Sequence, residues 1–194
     1  SGKRSSRRTI KQKGGRTILK TAYFAGGCFW GIEKEFNRVP GITKTRVGYM
    51  GGNTKNPTYK DVCDKDTKHA ETVEITYDPN KVSYLKLLEI FDKIRSKNVT
   101  DTKSQYRSII FTVNKNQNTE SRKFIKDNSD VELLSKQNHP FYIAEDYHQK
   151  YSFQKPCNHL NTEDIDVFNR ICKNNSQAAE DKYTGKYLNF EKDG

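Results

Sequence analysis

Residues Leu19 to Ala25 (LKTAYFA), followed at once by Gly26, Gly27, Cys28, Phe29, Trp30 and Gly31, are the stretch that decides how this 194-residue chain is read. The first seven residues are a short, largely apolar run that predicts a strand. Phe29, Ile32, Phe36 and Val39 then recur at helical spacing. A strand that passes through a glycine turn into a helix puts Cys28 at or near the helix N-terminus. There the unpaired N–H groups and the positive end of the helix dipole favour a thiolate. Glycines on both sides allow a sharp turn and close approach by a substrate. A small buried thiol is the commoner fate of a lone cysteine, but a cysteine followed by two large aromatics and framed by glycines reads as a site.

Outward from this turn, the pattern predicts a helix over about 28–38 that ends near Pro40 and Gly41, and a strand over 42–49. A polar loop follows from Gly51 to Lys68, long enough to suggest function rather than mere connection. Residues 69–77 (HAETVEITY) alternate as a strand does, and Asp78, Pro79 and Asn80 make a turn. Ser83 is placed to cap a helix over 84–96, with Tyr84, Leu87, Leu88, Phe91 and Ile94 on its buried face. A strand over 106–113, a polar helix over 119–126 and a short strand over 141–144 come next. Ile165, Phe168, Ile171 and Cys172 hint at a terminal helix. This alternation predicts an α+β domain, an α/β two-layer sandwich on a mixed sheet, with irregular structure dominating the last third.

Composition narrows the class. The length suits one domain with a real core, yet only 32% of residues are apolar, and the mean hydropathy of −0.99 calls for a very polar surface. No window approaches 18 apolar residues, so no membrane span is expected. The net charge of +11 is concentrated at the start. Eight of the 35 basic groups and no acids fall in residues 1–20, leaving 27 basic against 24 acidic groups elsewhere. Residues 1–18 therefore read as a solvated basic arm, and 19–194 as a single catalytic domain. Seven of the twelve glycines lie between Gly26 and Gly52, and none lies between Asn53 and Thr184. Four widely spaced cysteines, Cys28, Cys63, Cys157 and Cys172, are too few for a disulfide scaffold. They fit redox-active thiols in a reducing, cytoplasmic compartment. The four histidines and the cysteines show no zinc-like or Cys-His hydrolase spacing, and no metal is expected.

The Gly26–Gly31 segment resembles the signature of the peptide-methionine (S)-S-oxide reductases, the methionine sulfoxide reductase A family. Further blocks in that family's order are Gly48-Tyr49-Met50-Gly51-Gly52, Pro57-Thr58-Tyr59, Val62-Cys63, His69-Ala70-Glu71, Gln105-Tyr106-Arg107-Ser108 and Ala144-Glu145-Asp146-Tyr147-His148-Gln149. The resemblance spans roughly residues 19–155. It implies a ferredoxin-like core with a long C-terminal coil. It also implies thiol-dependent reduction of methionine (S)-sulfoxide, free or in oxidised proteins, by a monomer without a bound cofactor, with thioredoxin or another dithiol as reductant.

Such chemistry needs a thiolate to attack sulfur, donors for the departing oxygen, an apolar seat for the S-methyl group and a second thiol to regenerate the first. Cys28 is the candidate nucleophile, passing through a sulfenic acid, and Phe29 and Trp30 are the candidate methyl seat. From its strand-like run alone Glu71 reads first as an exposed carboxylate; by resemblance it is the family's acid, a role a carboxyl desolvated near aromatics fills by staying protonated near neutrality. By resemblance, Tyr59 and Tyr106 surround the sulfoxide oxygen, and Asp101 organises the site through hydrogen bonds. Cys157 is the first candidate resolving thiol and Cys172 the second, with Cys63 read as structural. Lys65, Lys68 and Lys103 stand where the family pattern usually has glycine. A cysteine hydrolase and a nucleic-acid-binding module working through the basic arm are the alternative readings.

Overall fold

The computed structural model describes residues 17–154, apart from 65, 98, 100, 128 and 129. Most of the basic arm, Cys157, Cys172 and the expected terminal helix lie outside the described residues. The chain runs β1 (Lys20–Ala25), α1 (Phe29–Asn37), β2 (Ile42–Met50), α2 (Tyr59–Asp64), β3 (Ala70–Tyr77), α3 (Tyr84–Ile94), β4 (Ser108–Thr112), α4 (Lys115–Phe124), β5 (Val131–Ser135), β6 (Tyr142–Ile143) and α5 (Tyr151–Gln154). The six strands form one mixed sheet in the order β5-β4-β1-β3-β2-β6. Only β4 and β5 pair in parallel, and the other pairs are antiparallel. The central order 4-1-3-2, with α1 and α3 as the crossovers, is the ferredoxin-like split βαβ arrangement expected from the sequence. None of the helices among the described residues is long and apolar enough to cross a membrane.

Strand alternation sorts β1 onto two faces. Ala22 and Phe24 enter the main core, while Tyr23 and Ala25 join a smaller cluster on the opposite face with Met50, Ala70, Ile109 and Phe111. Phe24 is fully buried, with its ring centroid 5.0 Å from Phe91, 5.5 Å from Phe36 and 6.1 Å from Tyr84. One side chain from the sheet thus pins both crossover helices. Phe24→Ala is expected to cost about 3–5 kcal/mol of stability, measured as a lower denaturant midpoint with an unchanged slope.

The helix caps follow the sequence. Ser83 accepts a hydrogen bond from the Lys86 N–H at 3.1 Å, and Tyr84, Leu87, Leu88 and Phe91 are buried beneath it. The polar helix begins at Lys115, earlier than its weak apolar signal implied. Asn114 caps it by accepting from the Gln117 N–H at 2.9 Å. Its buried face is polar: Gln117 donates to the Thr21 carbonyl at 2.8 Å, and Ser121 meets the Tyr84 hydroxyl at 3.0 Å. Hydrogen bonds seat most of this helix, with only Phe124 at its end packed on the core, so hydrophobic periodicity had little to report. Three elements are absent from the sequence reading: α2, inside the segment read as a polar loop, the edge strand β5, in a stretch left without an element, and the short helix α5.

Candidate active site

The β1–α1 turn is built as the glycines demand. Gly27 has φ +122°, a conformation that costs an L side chain dearly, and a Cβ there would stand 2.6 Å from Ser96 Oγ. Cys28 follows as the N-cap residue of α1, exposed and without a side-chain cap. Gly31, three residues on and so on the same helix face, fronts open space, since a Cβ at that position would meet no atom within 4 Å. A substrate sulfur thus has room beside the thiol.

The helix terminus pulls Cys28 toward the thiolate, but other parts of its surroundings pull the other way. Burial raises the thiol above its ordinary value, the Trp30 and Gly31 N–H groups pull it back, and the nearby Glu71 adds to the rise; the net direction is upward. These surroundings favour the neutral thiol over the thiolate.

Glu71 comes from the middle of the sheet. β3 pairs with β2 so that Glu71 lies opposite Tyr49, and its side chain is only 2% exposed. One carboxyl oxygen accepts the Phe29 N–H at 2.9 Å, taking an orphan donor of the first turn of α1. The other faces the Gln105 side-chain amide at 3.4 Å, and the Glu71 N–H donates to the Gln105 carbonyl at 2.8 Å. Burial lifts the carboxyl to about 7, against the opposing pull of the Phe29 N–H. A proton is therefore available near neutrality, on a group bonded to the residue after Cys28.

Tyr59 opens α2 and Tyr106 stands on the loop before β4. The Tyr59 phenol is held above its ordinary range, first by its hydrogen bond to Cys63 and then by burial, with smaller contributions from Tyr106 and Glu71. The Tyr106 phenol is raised by burial, with contributions from Glu71, Cys28 and Cys63. Both phenols therefore keep their protons, and both sense the same carboxyl. Cys63 is an exposed free thiol one turn after Tyr59, with its sulfur 3.7 Å from the Gln105 amide. The sequence reading placed it in the background; α2 brings it to the rim of the site.

Trp30 is half-buried. Its indole N–H donates to His148 Nδ1 at 3.0 Å, and its ring stacks on Tyr151 at 3.7 Å. Phe29 is 1% exposed, and its ring packs against Tyr49 and His148, centroids 5.9 and 5.1 Å away. Phe29 thus underlies the site, and the indole beside it is the more accessible surface. His148 ties the C-terminal segment to α1. Because its Nδ1 accepts from Trp30, the ring is the neutral Nε2–H tautomer, and burial lowers its pKa. Among the described residues no histidine is hydrogen-bonded to the Cys28 sulfur, so the Cys-His pair of a hydrolase is not assembled. No cluster of three or more metal-ligating side chains occurs among them either.

Asp101 acts at one remove. Its carboxylate accepts the Lys103 N–H at 2.8 Å and its carbonyl the Ser104 N–H at 3.1 Å, closing the turn that leads to Tyr106. Arg107 anchors the same loop: it reaches Glu132 at 3.2 Å, the Ser104 carbonyl at 3.1 Å and the Lys68 carbonyl at 2.9 Å. Lys68 itself sits at φ +57°, a conformation glycine adopts more readily, whereas Lys103 is not in that region. One glycine-for-lysine replacement is thus strained and the other is not. Lys65 lies outside the described residues. Sequence reasoning gave no role to Gln105, to the Phe29 N–H or to Glu145, although Gln105 and Glu145 stand within the quoted blocks.

A family model described as peptide methionine sulfoxide reductase matches residues 20–181. The chain is 45% identical over 140 residues to a peptide methionine sulfoxide reductase MsrA of Vesicomyosocius okutanii, covering 69% of this chain and 85% of that protein. It is 41% identical over 152 residues to the MsrA of Methanosarcina acetivorans, covering 71% and 79% respectively. Among solved structures, methionine sulfoxide reductase A of Corynebacterium diphtheriae superposes with a TM-score of 0.65 at 32% identity, over 76% of this chain and 79% of that one.

Proposed function

The chain belongs to the peptide methionine sulfoxide reductase family, and on that premise we propose how its own residues carry out the reduction of methionine sulfoxide. Cys28 attacks the sulfoxide sulfur. Glu71 delivers its proton to the oxygen while the Tyr59 and Tyr106 hydroxyls polarise it, and Trp30, backed by Phe29, receives the S-methyl group. Thiol and sulfoxide become sulfenic acid and thioether: the oxygen moves to Cys28, methionine leaves, and the proton Cys28 gives up on attack restores the one Glu71 delivered. Asp101 supports the loop that presents Tyr106. The single observation carrying this reading is the exposed Cys28 thiol beside a buried carboxyl whose proton is available near pH 7.

Recycling follows from the same chemistry. A second thiol, Cys157 first and Cys172 second, condenses with the sulfenic acid to a disulfide with loss of water, and thioredoxin or a similar dithiol reduces that bond. Residues 19–194 act as one catalytic domain, with residues 1–18 as a basic arm outside it. All of the proposed reductive machinery comes from one chain, which suits a monomer. Cysteines used in this way suit a reducing compartment such as the cytoplasm.

The test is mass spectrometry of the full chain after one equivalent of an (S)-sulfoxide peptide. The expected result is one methionine per chain and a disulfide joining Cys28 to Cys157. In Cys157→Ser that first turnover persists while recycling by thioredoxin fails. Reduction of the (R) epimer instead, or no change at Cys28, would remove the reading.

A further inference from the structure

Glu145 lies between β6 and α5 and is one of the few carboxylates drawn toward the site that the mechanism above leaves idle. Its two oxygens have different partners. Oε1 accepts the Tyr59 N–H at 2.7 Å, and Oε2 accepts the Tyr49 hydroxyl at 2.9 Å. His148 Nε2, a buried nitrogen with no hydrogen-bond partner among the described residues, stands 3.9 Å from Oε2. Burial opposes the charge on Glu145, yet the Tyr59 N–H, its own backbone N–H and the Tyr49 hydroxyl together hold its carboxyl below the ordinary value. It is therefore ionised where Glu71 is not.

The consequence lies in what those partners carry. α2 has only six residues, too few to hold its own direction in water. Its first residue is the phenol proposed for the sulfoxide oxygen. Tyr49 is fully buried in β2, opposite Glu71 in the sheet register, and packs against Phe29 at 5.9 Å. Short, charge-assisted bonds at both ends fix geometry better than neutral ones. One carboxylate thus ties the short helix bearing Tyr59 to the strand pair bearing Glu71 and to the ring next to Cys28.

We infer that Glu145 is a positioning residue for the reductive step: by bridging the Tyr59 amide and the Tyr49 hydroxyl, it sets the Tyr59 phenol relative to Glu71 and Cys28. This rests on the proposed role of Tyr59, and a double-mutant cycle separates the two. First-turnover reduction of an (S)-sulfoxide peptide by the full chain is followed in wild type, Glu145→Ala, Tyr59→Phe and the double variant. Each single change is expected to slow the step about tenfold. Because both act through one phenol, the double variant should be no slower than the slower single, to within about twofold. Substrate KM should move less than the rate, as befits a contact made in the transition state. Glu145→Gln keeps a carbonyl for the Tyr59 N–H and should slow the step only about threefold. Should Glu145→Ala fail to fold, that smaller effect must likewise vanish in the Tyr59→Phe background. Independent, multiplying penalties with Tyr59→Phe itself slowed would overturn the positioning role alone. A Tyr59→Phe chain at wild-type speed would instead remove the role of Tyr59, and the inference with it.

Discussion

Cys28→Ser is expected to release no methionine from an (S)-sulfoxide peptide, even in a single turnover with enzyme in excess. The loss is total rather than graded because the reaction changes the oxidation state of the sulfur. A thiol can take oxygen to become a sulfenic acid, whereas a serine hydroxyl has no comparable oxidised state within reach. The variant should nonetheless fold at least as well as wild type. Position 28 is a helix N-cap with no side-chain cap, and serine is among the best residues there, so a gain of up to about 1 kcal/mol is expected. Chromatographic detection of methionine and a thermal melt check both halves. Turnover in this variant would dismiss Cys28 as the nucleophile. A collapsed melting temperature would show that the assay had reported unfolding.

Glu71→Gln should lower the rate of the first turnover by about two orders of magnitude or more, since the amide can still accept the Phe29 N–H but has no proton to give. The pH dependence carries the sharper signature. In the wild type the reductive step should slow as pH rises through about 7, where the Glu71 proton is lost; in the variant that limb should be flat. Wild-type stability should fall over a similar range, whereas the variant should gain stability relative to it. Folding raises this carboxyl from 4.5 to about 7, so between those values the native state holds a proton that the unfolded chain has released. The stability referable to Glu71 is full below the lower value and is lost as pH climbs through the higher one, by about 3 kcal/mol in all. Glu71→Gln escapes that loss. Denaturant melts should therefore find it more stable than wild type at pH 8, with the advantage gone near pH 4. An unchanged rate profile would remove the acid role, and equal stabilities at pH 8 would deny the carboxyl its raised pKa.

The two expectations draw on signals of different kinds. Cys28 was legible because its neighbours are glycines and aromatics in a strand-to-helix pattern, all within a dozen residues. Glu71 was legible as a carboxylate in an alternating strand and as part of a family block. Its burial depends on β2, β3 and the incoming N-terminus of α1, and no local pattern announces that. The polar helix α4 was misplaced because Gln117 and Ser121 seat it through hydrogen bonds. The edge strand β5 was passed over because its partner β4 lies about twenty residues earlier in the chain. Cys63 shows the limit most clearly: read as background beside Val62, it sits one helical turn from Tyr59 because a loop segment closes into α2.

From the sequence alone came the strand–turn–helix around Cys28, the core stripe of α3 and the ordered blocks that mark the family, since each is written in spacing along the chain. Folding decided the protonation of Glu71, the thiol state of Cys28 and the grip of Glu145 on Tyr59. Those depend on dielectric surroundings and on partners 42 to 86 residues away, and only a closed sheet with its helices packed on it brings such partners within hydrogen-bond reach.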